Sequence, residues 1–273
     1  MSLLTEVSMQ KIAFIGMGNM GQALVKALLK YKNKEDIVFT RDNQEKARCF
    51  EREQGIKYID NIEELADKSK YIILAVKPQV YDKIFKVLKA YIRKEHIIIS
   101  LAPGISTQSI KYNLGNVRVL RAMPNTPALL GEGMTGLSYI ETEYSKEEIE
   151  ELENIFLGVG KFIKIEEKYM DAVVCMSGSS PAYMYEFVDA LATMGIKFGL
   201  SKNDSIKLVA QTMLGTAKMI LETGEHPEVL KDKVCSPAGT TIEGVLALEE
   251  NGFRKSIQKA AKACYNKCKE LGN

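Results

Sequence analysis

Along the first 165 or so residues, short apolar β-branched runs alternate with amphipathic stretches. Candidate strands fall at 11–16, 36–41, 71–76, 96–101, 117–122, 135–140 and 161–165. The segments 20–31, 43–54, 61–68, 79–92, 106–114 and 146–157 instead repeat their apolar residues at helical spacing. This alternation predicts a parallel sheet with helices on both faces. Tyr71-Ile72-Ile73-Leu74-Ala75-Val76 and His96-Ile97-Ile98-Ile99-Ser100-Leu101 show no polar alternation, as expected of strands covered on both sides. A short third strand is expected just before Asn61, and the last strands are open to antiparallel pairing.

After residue 165 the strand pattern stops, and about 108 residues follow with helical periodicity only. Ser180-Pro181 reads as an N-cap and first-turn pair for a helix to Lys197. Ser201 with Asp204 opens a second, whose Leu208, Val209, Met213, Ala217 and Ile220 form one stripe. Helices near 227–234, 241–250 and 253–271 complete the set. The expected architecture is therefore α/β: a doubly wound sheet domain over 1–165, then an all-α domain over 166–273.

Composition narrows the function classes. With 46% apolar and 26% charged residues and a net charge of +2, nothing calls for a polyanionic partner, so nucleic-acid binding is not implied. No apolar run reaches the roughly 20 residues of a membrane span, and Met1–Ser8 lacks the apolar core of a secretory signal. Five scattered cysteines point to reduced thiols and a cytoplasmic setting. Cys264 and Cys268 share a helix face, but no CxxC occurs and His96 and His226 lie far off, so no metal site is expected.

The chemistry begins at Ile12-Ala13-Phe14-Ile15-Gly16-Met17-Gly18-Asn19-Met20-Gly21, a strand running into GxGxxG and then into the Ala23, Leu24, Ala27, Leu28 stripe. This order is the dinucleotide fingerprint of a Rossmann-type sheet. Gly16 allows a tight turn, Gly18 has no Cβ to block a pyrophosphate, and Gly21 lets the helix lie close on the sheet. The phosphates then meet the helix N-terminus. An acid ending the second strand would hold a ribose 2′-hydroxyl and repel a 2′-phosphate. Here Thr40-Arg41 stand at that strand end and Asp42 comes one step later, so NADPH is preferred with NADH possible. Asp42 has an alternative role, capping the next helix together with Asn43.

Three more segments end strands where ligands of open α/β sheets bind: Ala75-Val76-Lys77-Pro78-Gln79, Leu101-Ala102-Pro103-Gly104 and Met123-Pro124-Asn125-Thr126-Pro127. Each also reads as an ordinary strand exit. Asn61 has two readings as well, ligand or N-cap. Cys235-Ser236-Pro237-Ala238-Gly239-Thr240-Thr241-Ile242 places small and hydroxyl residues directly before a helix, a nest of N–H groups suited to a carboxylate. Its plain alternative is a helix capped by Thr240 or Thr241.

Taken together, Gly16–Gly21, Val76–Gln79, Met123–Pro127, Ser177–Tyr183 and Ser236–Ile242 resemble the pyrroline-5-carboxylate reductases over about Lys11 to Leu271. The Ser-Pro-x-Gly-x-Thr segment after His226-Pro227 is the most specific element. The resemblance implies reduction of (S)-1-pyrroline-5-carboxylate to L-proline by NAD(P)H, and a homodimer with intertwined helical domains, often assembled into a ring of dimers. It assigns Thr241 as partner of the ring nitrogen and Ser236, Gly239 and Thr240 to the carboxylate loop. Glu167 matches an acidic position near the amino acid. Asn61, Lys77, Ala102 and Pro103 match cofactor positions, and Thr40 and Arg41 those around the 2′-phosphate. Lys233, Ala238 and Pro103 depart from residues commoner in the family. A cyclic imine is basic enough to carry much of its own proton, so positioning rather than acid catalysis is expected. Two other readings stand beside this one: a non-catalytic NADPH sensor, and a β-hydroxyacid dehydrogenase. The second would rely on a helical lysine, whereas no lysine lies between Lys168 and Lys197.

Overall fold

A computed structural model describes residues 11–272. Met1–Ser8 lies outside the described residues. Strands and helices alternate as β1 (Lys11–Ile15), α1 (Asn19–Leu28), β2 (Ile37–Thr40), α2 (Gln44–Gln54), β3 (Lys57–Tyr58), α3 (Ile62–Asp67), β4 (Ser69–Leu74) and α4 (Tyr81–Leu88). There follow β5 (Ile97–Ser100), α5 (Thr107–Leu114), β6 (Arg118–Met123), β7 (Gly133–Ser138), α6 (Lys146–Leu157) and β8 (Gly160–Lys164). The eight strands form one sheet in the order β3-β2-β1-β4-β5-β6-β7-β8. All neighbours are parallel except β6 and β7, so antiparallel pairing is confined to one step and β8 returns parallel to β7.

The unbroken apolar strands follow from burial on both faces. In β1, Ile12 and Phe14 enter the core shared with α1 and α6, while Ala13 and Ile15 enter the opposite core with α3, α4 and α5. A period-2 strand with two buried faces has no position left for a polar residue without a partner.

The buried charges of this sheet are paired. Glu148 is the third residue of α6, and its side chain is 11% exposed. It accepts from the Ser145 N–H at 3.0 Å in a capping box, and pairs with Lys70 at 2.7 Å and Arg118 at 2.6 Å. Burial alone would raise this carboxyl, but the Lys70, Ser145 and Arg118 contacts outweigh it and hold it at about 2, against an ordinary 4.5. A depressed carboxyl stabilises the fold above the unfolded value, and that contribution is lost as pH falls from there toward the folded value. Glu148→Gln is therefore expected to cost about 2–3 kcal/mol at neutral pH. In denaturant unfolding, its deficit against the unaltered chain should shrink as pH falls below that of an ordinary glutamate; a pH-independent deficit would contradict the assignment.

Compactness divides the chain into residues 11–179 with 264–272, and residues 180–263. The first unit keeps α7 (Met170–Val173) and a π turn at Val174–Gly178, a helical stretch that periodicity does not reveal. Both pack tightly on the sheet: a Cβ on Gly136 of β7 would lie 2.7 Å from Val173 Cγ1, and one on Gly178 would lie 2.6 Å from Met123 Cε. The last turns of the final helix join the same unit, where Gly104 lies against the backbone of Cys268 and Gly272.

The second unit contains α8 (Ser180–Lys197), α9 (Lys202–Thr223), α10 (Pro227–Val234), α11 (Thr240–Glu250) and the first part of α12 (Phe253–Gly272). Ser201 caps α9 as expected, accepting from the Asp204 N–H at 3.1 Å. Ser180-Pro181 does not start an isolated helix, because the chain is already helical at Ser179, whose N–H donates to Val174 O at 2.8 Å. Pro181 has no N–H for the preceding turn, and the ladder there widens to the i→i−5 pattern. No helix among the described residues is long and apolar enough to cross a membrane.

Candidate active site

Strand order reverses between β1 and β4, so their C-terminal ends splay the connecting chains apart and open a crevice. A cleft of about 580 Å³ lies there. It is lined by Gly16, Met17 and Gly18 after β1, by Ala75, Val76 and Lys77 after β4, and by Thr40–Asn43 and Asp60 after β2 and β3.

The glycines serve distinct geometric ends. Gly16 has φ +95° and donates its N–H to Thr40 O at 2.9 Å; a Cβ there would stand 2.5 Å from Val76 Cγ1 and 2.7 Å from Ala75 O. A Cβ on Gly18 would meet nothing within 4 Å, so it would enter the open space before α1. Gly21 lies close over the turn, 3.0 Å from Gly16 O by the same measure. The α1 ladder begins with Gln22 N donating to Gly18 O at 2.9 Å, which leaves the N–H groups of Asn19, Met20 and Gly21 without helical acceptors. These donors and the helix dipole fit a diphosphate, and the empty Cβ direction at Gly18 gives it room. The Met17 side chain is buried in the core, so Met17 reaches the cleft through its backbone.

Other expected positions separate. Thr40 ends β2 with its hydroxyl 3.5 Å from Asp60 O, too long for a strong bond. The cap of α2 is Asn43 alone, whose Oδ1 accepts from Lys46 N at 2.8 Å; Asp42 takes no part in it and lines the cleft. Pro78 opens a 3₁₀ turn at Pro78–Val80. Asn61, Ala102 and Pro103 are not among the cleft-lining residues. Asn61 is the N-cap of α3, accepting from Glu64 N at 2.7 Å, and Ala102 is buried in the core. The sequence reading missed Asp60 and the apolar wall of Ile62, Val80 and Ile84. Helical spacing from Val80 to Ile84 was the available signal for that wall.

In the other unit, Ser236-Pro237-Ala238-Gly239 makes a turn closed by Gly239 N donating to Ser236 O at 3.0 Å. Proline second and a left-handed residue third is the type II pattern. The third residue is Ala238, at φ 55°, which costs about 1–2 kcal/mol relative to a residue without a Cβ. Gly239, not Thr240 or Thr241, is the N-cap of α11. A Cβ on it would collide with Ser236 Oγ at 2.3 Å, so the Ser236 hydroxyl is folded over the helix start. The N–H groups of Thr240, Thr241 and Ile242 are left for an external anion. Lys233, just before this turn, is ion-paired with Glu225.

Glu167 belongs to the sheet unit. Its Oε1 accepts from Arg121 Nη1 at 2.7 Å and from Thr107 N at 3.1 Å, and Asp171 stands 3.7 Å from the other arm of the same guanidinium. Arg121 is buried in β6, its side chain 6% exposed. An arginine inside the run Arg118–Met123 was the sequence signal, since a buried charge requires a partner. The histidines are structural. His96 accepts from Arg93 N at 2.7 Å, faces Ala66 O at 3.0 Å and is pushed down by burial; His226 caps α10. No group of residues suited to a metal occurs among the described residues.

Sheet order, switch-point cleft and glycine loop together define an NAD(P)-binding oxidoreductase fold. Residues 11–104 match the family model described as NADP oxidoreductase, coenzyme F420-dependent, and residues 167–271 that described as pyrroline-5-carboxylate reductase dimerisation. The pyrroline-5-carboxylate reductase of Escherichia coli (strain K12) is 38% identical over 266 residues, 96% of this chain and 98% of that protein. A crystal structure of the Plasmodium falciparum pyrroline carboxylate reductase with NADP bound is similar at TM-score 0.87 and 30% identity, over 96% of this chain and 98% of that one. A 3-hydroxyisobutyrate dehydrogenase from Mycobacterium tuberculosis shares the fold alone, at TM-score 0.53 and 16% identity over 71% of this chain and 67% of that one.

The chain belongs to the pyrroline-5-carboxylate reductase family, and its reaction is the reduction of pyrroline-5-carboxylate to proline. Neither the sensor reading nor the β-hydroxyacid dehydrogenase reading is favoured.

Proposed function

We propose that this chain reduces its substrate with NADPH in preference to NADH, and that the turn at 236–239 with the first residues of α11 holds the substrate carboxylate. The observation that carries the reading is the pair of uncapped helix starts, α1 behind the glycine loop and α11 behind the Ser-Pro-x-Gly turn, each presenting three N–H groups. Gly16–Gly21, Val76, Lys77 and Pro78 form the cofactor cradle, with Thr40 and Arg41 at the 2′-phosphate. Asn61, Ala102 and Pro103 act from the margin of that cradle. Ser236, Gly239 and Thr240 bind the carboxylate, and the Thr241 hydroxyl takes the ring nitrogen as its hydrogen-bond partner.

Bound, the reduced nicotinamide supplies the hydride for the C=N carbon. The protein orients and dehydrates the substrate and holds its charges. Glu167 serves as the acidic residue near the amino acid; its pairing with Arg121 reduces the field it exerts on an iminium. The domains are divided functionally at 165/166, the second part serving substrate binding and dimerisation. A homodimer, assembled further as a ring of dimers, covers apolar side chains such as Leu208 of α9, which is 57% exposed in the single chain. The five free cysteines accord with a cytoplasmic enzyme.

Following the absorbance of reduced nicotinamide on adding pyrroline-5-carboxylate tests the reading. NADPH should be oxidised with a higher kcat/KM than NADH. Cofactor binding without oxidation would sink the proposed substrate site, and failure to bind either cofactor would sink the proposed cradle.

A further inference from the structure

The cleft end that receives the adenosine ribose is not uniformly cationic. Arg41 and Thr40 favour a phosphate, yet Asp42 and Asp60 line the same end. Asp60 is two residues beyond β3, and the β2–β3 pairing brings it beside Thr40. Its carboxylate is pinned: Gln44 Nε2 donates to Oδ1 at 3.0 Å and to Oδ2 at 3.1 Å, and the Tyr58 hydroxyl donates to Oδ1. Burial first, and then Asp60 itself, pushes the Tyr58 phenol up to about 12, so it stays a donor across the physiological range. Asp60 also occupies the amide of Gln44, the first residue of α2.

We propose that Asp60 is a specificity-determining residue that weakens the grip of this cleft on a 2′-phosphate and so admits the dephosphorylated dinucleotide. The inference rests on the reading of this cleft as the dinucleotide site. A fixed carboxylate cannot turn away from an incoming dianion, whereas it can accept a hydrogen bond from a ribose hydroxyl. Asp42, free of the α2 cap, adds to the repulsion but among the described residues is not held by neighbouring donors. Asp60 therefore sets the larger, geometrically fixed part.

Calorimetric titration of the full chain with 2′-phospho-ADP-ribose and with ADP-ribose measures the effect without turnover. In Asp60→Asn, which keeps the shape and most of the hydrogen bonds, the affinity ratio of the phosphorylated to the plain fragment should rise about three- to tenfold, the scale of screened repulsion over several ångströms. Asp60→Ser should move the ratio the same way, and thermal melting of both variants verifies folding. An unchanged ratio in folded variants that bind both fragments overturns the role of Asp60 and leaves the cleft assignment intact. Failure of the unaltered chain to bind either fragment overturns both.

Discussion

Gly16→Ala is expected to lower the melting temperature by about 5–10 °C and to weaken NADPH binding at least tenfold, by about 1.4 kcal/mol or more. Its new methyl must occupy a left-handed backbone, at about 1–2 kcal/mol, and must displace Val76 Cγ1 and the Ala75 carbonyl, which stand 2.5 and 2.7 Å away. The second neighbour is backbone and leads into Lys77, so relaxation carries part of the cradle with it. Overpacking of this kind typically adds about 1–3 kcal/mol. Gly18→Ala supplies the contrast: its Cβ meets no protein atom, so binding should weaken while the melting temperature holds. Melting curves with cofactor titrations check both, and equal melting losses in the two variants would refute the division of roles.

Thr241→Ala is expected to lower kcat/KM for pyrroline-5-carboxylate by about tenfold to a hundredfold, the worth of one or two hydrogen bonds, with NADPH affinity nearly unchanged. Thr241 is the second residue of α11, and among the described residues its hydroxyl has no hydrogen-bond partner. Truncating it leaves the Gly239 N-cap and the Ser236 turn in place. Thr241→Ser should recover most of the loss, which separates a lost hydroxyl from a disturbed helix start. An unaltered kcat/KM in the alanine variant would remove Thr241 from the reaction.

Much of the sheet was legible because burial on two faces leaves so clear a trace: Ile12–Ile15 of β1, Tyr71–Leu74 of β4 and Ile97–Ile99 of β5 are apolar without interruption. The third strand pairs over only two residues, Lys57 and Tyr58, too few for any periodicity. The helix at 170–178 was hidden for another reason. Its π turn breaks the 3.6-residue repeat, and Pro181 imitates a helix start.

At the site, residues adjacent in sequence were legible as groups, as in Gly16–Gly21 and Ser236–Thr241. Partnerships that need a strand crossing were not. Asp60 reaches Thr40 only through the β2–β3 ladder, and Glu167 finds Arg121 across 46 positions. The strain at Ala238 was also unreadable, since alanine does not announce a positive φ. Local competition decided the smaller questions: Asn43 took the cap that Asp42 was offered, and Gly239 took the one offered to the threonines.

The sheet ends in two unlike margins. One is the two-residue β3 with exposed Lys57, the other β8, where exposed Lys161 stands on the outermost strand. A second copy adding itself as a ninth strand would find almost no ladder on one side and an exposed ammonium on the other, so both borders resist fibrous aggregation.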